Sequence, residues 1–168
     1  MENLFLIIGP TGVGKSSAIN CITPSPSLKI FVLDDEMKKE HKVDSISKYF
    51  SNVGNEEFFR QSIATIEQIK QHNEDVMVLI DVGAGSIDWP GCVETYLQYE
   101  VICLSGEPEL LYQRLLNRPN EQRSFGEYSA SEFKPHRRRL YEGARFRVDT
   151  SEMAIEEVAY QILEIVNN

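Results

Sequence analysis

Residues Gly9 to Ser17 read Gly-Pro-Thr-Gly-Val-Gly-Lys-Ser-Ser and follow directly on the apolar run Leu4 to Ile8. The spacing G-x-x-x-x-G-K-S/T is filled by Gly9, Gly14, Lys15 and Ser16, with Gly12 between them. A strand running into such a loop is a nucleotide phosphate cradle. Glycines let the backbone bend tightly and aim amide N–H groups at phosphate oxygens, and a helix opening near Lys15 adds the positive end of its dipole. The candidate nucleotide-binding residues of the loop are therefore Gly9, Gly12, Val13, Gly14, Lys15, Ser16 and Ser17. Lys15 is expected to reach the β- and γ-phosphates and Ser16 to place its hydroxyl on Mg²⁺.

Phosphoryl transfer also asks for carboxylates near the metal and an acceptor for the proton of an attacking hydroxyl. The second apolar run leads into Asp34-Asp35-Glu36. In extended chain Asp34 and Glu36 fall on one side and Asp35 on the other. Asp34 is thus the candidate metal-side acid and Glu36 the candidate base, with Asp35 as the alternative. Asp81 closes the run Val78-Leu79-Ile80 and is a second metal candidate. The small-residue loop Gly83-Ala84-Gly85 permits close approach of backbone to a ligand. Arg60, Arg114, Arg118 and Arg137 to Arg139 offer planar guanidinium groups suited to carboxylates and phosphates. His41, His72 and His136 show no metal-ligand spacing.

The elements that must position these groups are legible as alternation. Short aliphatic or β-branched runs occur at Leu4–Ile8, Lys29–Leu33, Val76–Ile80, Val101–Leu104 and Phe146–Val148. Between them lie segments of helical spacing, such as Phe58, Ile63, Ile66 and Ile69, or Ile155, Val158, Ile162 and Ile165. Alternating strand and helix predict an α/β fold: a parallel sheet covered by helices on both faces, with its crevice beyond the carboxyl ends of the strands. Thr23-Pro24-Ser25-Pro26-Ser27 is expected to be a loop, because prolines at alternate positions fit neither a helix nor a central strand. Residues 118–131 are polar, resist regular assignment and form a candidate mobile lid.

The 168 residues suit one domain, 1–168, with 42% hydrophobic residues to fill its core. A net charge of −9 argues against a general nucleic-acid or anionic-membrane binder. Cys21, Cys92 and Cys103 are odd in number and have no C-x-x-C spacing, so buried reduced thiols are expected rather than a disulfide framework or zinc site. The phosphate loop begins nine residues from the first Met, too close for a preceding signal or transit peptide, and a cytoplasmic location is expected.

Taken together, these patches resemble the shikimate kinase family, within the nucleoside-monophosphate-kinase-like branch of P-loop kinases. The phosphate loop matches at Gly9 to Ser16. The family's D-x-D resembles Asp34-Asp35-Glu36, its F-R resembles Phe59-Arg60, and its triple glycine resembles Gly83-Ala84-Gly85. The lid's R-P resembles Arg118-Pro119, and R-x-x-L-Y followed by V-D-T resembles Arg137 to Tyr141 and Val148-Asp149-Thr150. The resemblance implies a three-layer α/β/α P-loop fold with five parallel strands in the order 2-3-1-4-5. It implies transfer of the ATP γ-phosphoryl group to a hydroxyl of a small carboxylate-bearing acceptor, shikimate first, with Mg²⁺ and a monomer or weak homo-oligomer. Arg60 and Arg137 would hold the acceptor carboxylate, Gly83, Gly85 and Glu36 its ring and hydroxyls, Arg118 the transferring phosphate and Arg114 the adenine. The sequence departs from the family at Glu36, one methylene longer than the usual acid, and at Ala84. F-R also fits only with a one-residue shift. A sugar acid, nucleoside or drug hydroxyl is therefore the alternative acceptor, and a non-catalytic nucleotide-binding module the alternative function.

Overall fold

A computed structural model of the chain describes residues 3–118 and 121–168. In chain order the elements are β1 (Leu4–Ile8), α1 (Lys15–Asn20), β2 (Leu28–Val32), α2 (Leu33–His41), α3 (Ile46–Val53), α4 (Asn55–Gln71) and β3 (Met77–Asp81). Then follow α5 (Val93–Tyr96), β4 (Glu100–Ser105), α6 (Pro108–Leu116), α7 (Phe125–Glu132), α8 (Pro135–Gly143), β5 (Phe146–Asp149) and α9 (Ile155–Asn167).

The five strands form one parallel sheet in the order β2-β3-β1-β4-β5, as expected. Its central strand β1 is buried along its whole length, which a continuous apolar run permits when both faces are covered. Successive side chains point to opposite faces. Leu4, Leu6 and Ile8 join Leu33, Met37, Phe58, Tyr96 and Leu140 under α2, α4, α5 and α8. Phe5 and Ile7 join Ile19, Leu111, Tyr128 and Ile162 under α1, α6, α7 and α9. Parallel register sets Ile7 beside Asp81, and Asp81 beside Val32, so the ends of β1, β2 and β3 open on one crevice.

Two elements differ from the sequence expectation. β2 ends at Val32, and Leu33 already begins α2 with no linker. Leu33 and Met37, four apart, are both fully buried, and Asp34, Asp35 and Glu36 sit in the first turn, where the helix dipole favours acids. Residues 125–131, expected as part of an irregular lid, fall in the helix α7. Its first turn carries a capping box in which Ser124 accepts from the Glu127 amide and the Glu127 carboxylate accepts from the Ser124 amide. Of that segment, Pro119 and Asn120 lie outside the described residues.

The loop at 23–27 is confirmed, pinned by paired backbone hydrogen bonds between Ser25 and Leu28. Cys92 and Cys103 are buried, and burial pushes their thiols up to about 11 and about 12. Cys21, contrary to expectation, is exposed. Among the described residues no helix is long and apolar enough to cross a membrane.

Candidate active site

Between β1 and α1 the chain turns through three glycines at positive φ: Gly9 at 148°, Gly12 at 92° and Gly14 at 95°. A Cβ on Gly9 would lie 2.4 Å from the Leu104 carbonyl oxygen, and one on Gly12 would lie 2.6 Å from that of Leu111. Backbone packing and backbone conformation therefore both demand glycine there. Lys15 folds back over the loop, and its Nζ donates to the Gly9 carbonyl at 2.8 Å. Burial lowers its pKa, opposed chiefly by the charges of Asp81 and Glu132. The helix α1 that follows has six residues and buries Ala18 and Ile19. The Val13 side chain is in the core, so Val13 can serve a ligand only through its backbone.

Facing the loop, the Ser16 hydroxyl donates to Asp81 Oδ2 at 3.2 Å. Asp81 Oδ1 and Asp34 Oδ1 are buried without a partner. Burial raises the pKa of both acids; Asp34 is raised further by Asp81 and Asp35, while Lys15 and Ser16 pull Asp81 back. Two desolvated carboxylates beside a serine hydroxyl fit Mg²⁺, which is characteristically held by one or two protein carboxylates together with substrate phosphates. Among the described residues no group of three or more His, Cys, Asp or Glu is placed to hold a metal by itself. The cleft between these groups has a volume of about 200 Å³, and Gly12, Gly14, Ser17, Gly83 and Arg118 also line it. A Cβ on Gly83 would sit 2.7 Å from both Asp34 carboxylate oxygens, so this glycine makes room for that acid.

Other expected residues lie elsewhere. In a helix, residues two apart diverge by about 200°. Asp34 faces the cleft, whereas Glu36 pairs with Lys39 at 2.6 Å and lines a separate groove with Thr65 and Gln68. The extended-chain expectation that placed Asp34 and Glu36 together is thereby corrected. Asp35 pairs with Lys38 at 2.5 Å. Arg60 is exposed on α4, paired with Glu56 at 2.8 Å, and it is Phe59 that turns inward against Trp89, ring centroids 5.0 Å apart. Arg137 is 5% exposed, but its Nη1 donates to Glu132 at 3.1 Å, and its Nη2 to the Ala84 carbonyl and to Asp88, each at 3.0 Å. Gly85 lies beyond the phosphate cleft, with the Phe58 ring 3.2 Å from where a Cβ would stand. Arg114 donates to the Thr150 carbonyl at 2.8 Å, and the Thr150 hydroxyl donates to the Val13 carbonyl at 3.2 Å. That chain of contacts sets Arg114 at the edge of the phosphate loop.

Sequence reading missed the residues that hold the loop from behind. Glu132 accepts from the Thr11 amide and hydroxyl, each at 3.0 Å, and from Arg123 at 3.2 Å, while the Tyr128 hydroxyl donates to the Thr11 carbonyl at 2.8 Å. The capping box at Ser124 and Glu127 was the available signal for the helix that carries them.

Comparison with known proteins decides the relationship. The sequence model of the family described as shikimate kinase matches residues 11–167. The chain belongs to the shikimate kinase family. Shikimate kinases of known structure share its fold at low identity. The Acinetobacter baumannii enzyme in complex with shikimate is 21% identical with a TM-score of 0.72, over 99% of this chain and 93% of that one. For the Bacteroides thetaiotaomicron enzyme the identity is 17% and the TM-score 0.72, over 98% of each chain. A Deinococcus radiodurans tunicamycin resistance protein, 15% identical, also matches over 99% of this chain and 96% of that one, with a TM-score of 0.67. No curated protein sequence matches. A shikimate kinase-like small-molecule kinase using ATP is what the family and the phosphate loop together establish.

Proposed function

We propose that this kinase transfers the γ-phosphoryl group of Mg·ATP to a hydroxyl of a small acceptor held between Asp34 and the 83–85 loop. One observation carries the reading. Lys15, Ser16, Asp34, Asp81 and Arg118, drawn from four parts of the sequence, line a single cleft over the glycine loop.

The loop amides and Lys15 bind and neutralise the β- and γ-phosphates. Ser16 and Asp81 would hold Mg²⁺, which adds charge neutralisation across those phosphates. Arg118, at the end of α6, offers a further positive charge to the transferring group. Asp34 is the acid that faces both the phosphates and the acceptor side, so it orients the attacking hydroxyl and accepts its proton, the role expected of Glu36 from sequence. Its raised pKa suits a proton acceptor better than an ordinary surface carboxylate would.

Family membership makes shikimate the first acceptor to test. The exposed Arg60 and the neutralised Arg137 favour a second reading, another small hydroxyl compound in the same place. A coupled ADP-release assay with shikimate, gluconate and nucleoside monophosphates tests the proposal: acceptor-dependent ADP release is expected. Absence of both stimulated turnover and any heat of Mg·ATP binding would sink it.

A further inference from the structure

Beside the phosphate cleft, and sharing Asp34 and Ala84 with it, lies a second cavity of about 350 Å³. Its walls are Ile46 and Phe50 of α3, Phe58 of α4 and the backbone at Gly85, with the hydroxyls of Ser47 and Ser51 at its edge. Phe50 and Phe58 meet edge to face with centroids 5.1 Å apart. The helix α3 buries none of its residues fully, although Ile46, Tyr49, Phe50 and Val53 all turn toward the core. Its apolar side is thus part wall and part open surface, the form of a site that encloses a ring.

The charge of this cavity is one-sided. Asp34 contributes a carboxylate, and no Lys or Arg is among the described lining residues. Three cations of the neighbouring elements are paired. Arg60 is held by Glu56, Arg137 by Glu132 and Asp88, and Lys134 by Asp88 at 2.6 Å. Lys15 and Arg118 line the phosphate cleft instead. A carboxylate entering the cavity would be desolvated next to Asp34 without a counter-charge, a large penalty. A neutral ring meets two aromatic side chains, and its hydroxyl meets the Asp34 carboxylate.

We infer that the acceptor, on the kinase reading above, is an uncharged ring compound bearing the reactive hydroxyl, its ring against Phe50 and Phe58 and its hydroxyl on Asp34. Its recognition rests on shape, aromatic contact and one charged hydrogen bond rather than on a carboxylate clamp. The transfer itself balances in the ordinary way: the hydroxyl oxygen bonds to the γ-phosphorus as the bridging oxygen leaves with ADP, and the hydroxyl proton passes to Asp34.

Shikimate and its methyl ester share a ring and hydroxyls and differ in the charge at issue. Their binding is compared by calorimetry in the presence of Mg·ADP, and their phosphorylation by ADP release. The ester is expected to bind more tightly and to have a kcat/KM about tenfold higher, the equivalent of about 1.4 kcal/mol. In Ser51→Lys, which puts a cation at the rim, the preference for the ester should shrink or reverse. Equal or better performance of the acid in the unaltered chain overturns the inference, as does binding of neither compound. In both cases heat of Mg·ATP binding in the same cell leaves the kinase reading standing; absence of that heat sinks the kinase reading and the inference with it.

Discussion

The two halves of the cleft solve opposite electrostatic problems. On the proposed reading, the phosphate half gathers donors and cations around the place where negative charge would arrive: loop amides, Lys15 and Arg118, with Ser16 and Asp81 placed for a metal. The acceptor half does the reverse. Arg60 and Arg137 are paired with Glu56, Glu132 and Asp88, and this half presents aromatic rings and the Asp34 carboxylate. Binding a polyphosphate and activating a hydroxyl have contrary needs, and keeping free cations out of the acceptor half prevents that side from competing for phosphate. Asp34 stands on the border and belongs to both.

The largest effect should come from emptying the phosphate half of its central charge. Lys15→Ala is expected to lower kcat by about 10³-fold, as removing a preorganised charge from a dry site does. Mg·ATP binding should weaken as well, while the fold survives, since the Lys15 side chain makes one hydrogen bond, to the Gly9 carbonyl. Single-turnover kinetics with calorimetry checks both. Normal turnover would erase the distinction between the halves.

Asp34→Asn probes the border and should cost about 10²-fold in turnover, in the range of a lost general base. Stability should move the other way. The Asp34 pKa lies above its ordinary 3.8 because of burial first, then Asp81 and Asp35. Between 3.8 and the raised value the native state holds a proton that the unfolded chain has released, so stability falls as pH rises through that window and the penalty is complete above it. The asparagine variant should therefore melt about 2–4 °C higher than wild type at neutral pH without ligand, as about 1 kcal/mol would give. That gain should fade below pH 3.8, and saturating Mg·ATP should narrow it. A lower melting temperature for ligand-free Asp34→Asn at pH 7 would show that its carboxylate is well paired after all.

The phosphate half was largely legible in sequence because its determinants are local. Gly9 to Ser16 encode their own turn, and Asp81 follows from the end of a hydrophobic run. Strand order, the burial of β1 and the pairing of Ile7 with Asp81 agree with that reading. The acceptor half failed where one residue of phase decides everything. Whether Leu33 ends a strand or starts a helix determines if Glu36 stands beside Asp34 or far around from it, and only the joint burial of Leu33 and Met37 settles the matter. On α4 the inward line of Phe58, Ser62, Thr65, Ile66 and Ile69 takes Phe59 in and leaves Arg60 out. Arg137 was expected from the resemblance to hold the acceptor carboxylate, yet it is buried and paired with Glu132 and Asp88, contacts with no signature in the neighbouring sequence.

Glu132 joins the halves, and a milder substitution there sharpens the comparison. Its carboxylate grips Thr11 on the phosphate side and Arg137 on the acceptor side. Glu132→Gln preserves size but turns one acceptor oxygen into a donor, so it cannot accept the two hydrogen bonds from Thr11 together with those from Arg123 and Arg137. The expected result is about a tenfold weaker Kd for Mg·ATP, with a kcat reduced less than in Asp34→Asn. Calorimetry against the unaltered protein measures it. An unchanged Kd would mean that the phosphate loop holds its shape without support from α7.

The smallest effect should come from Arg60→Ala. Its guanidinium is exposed and pairs with Glu56 one turn earlier on the same helix, an arrangement that contributes little because both groups are well solvated without each other. Acceptor KM and kcat should each change by less than about twofold, and the melting temperature hardly at all. The weight of the test lies in what a large effect would require. For Arg60 to reach an acceptor, α4 would have to turn by about one residue, or 100°, which would pull Phe59 away from Trp89 and Tyr96 and uncover a buried ring. A tenfold rise in acceptor KM in Arg60→Ala would therefore mean that acceptor binding drives that rotation, and that the acceptor half becomes cationic only when it is filled. Silence in the same assay leaves the contrast between the halves built into the resting fold.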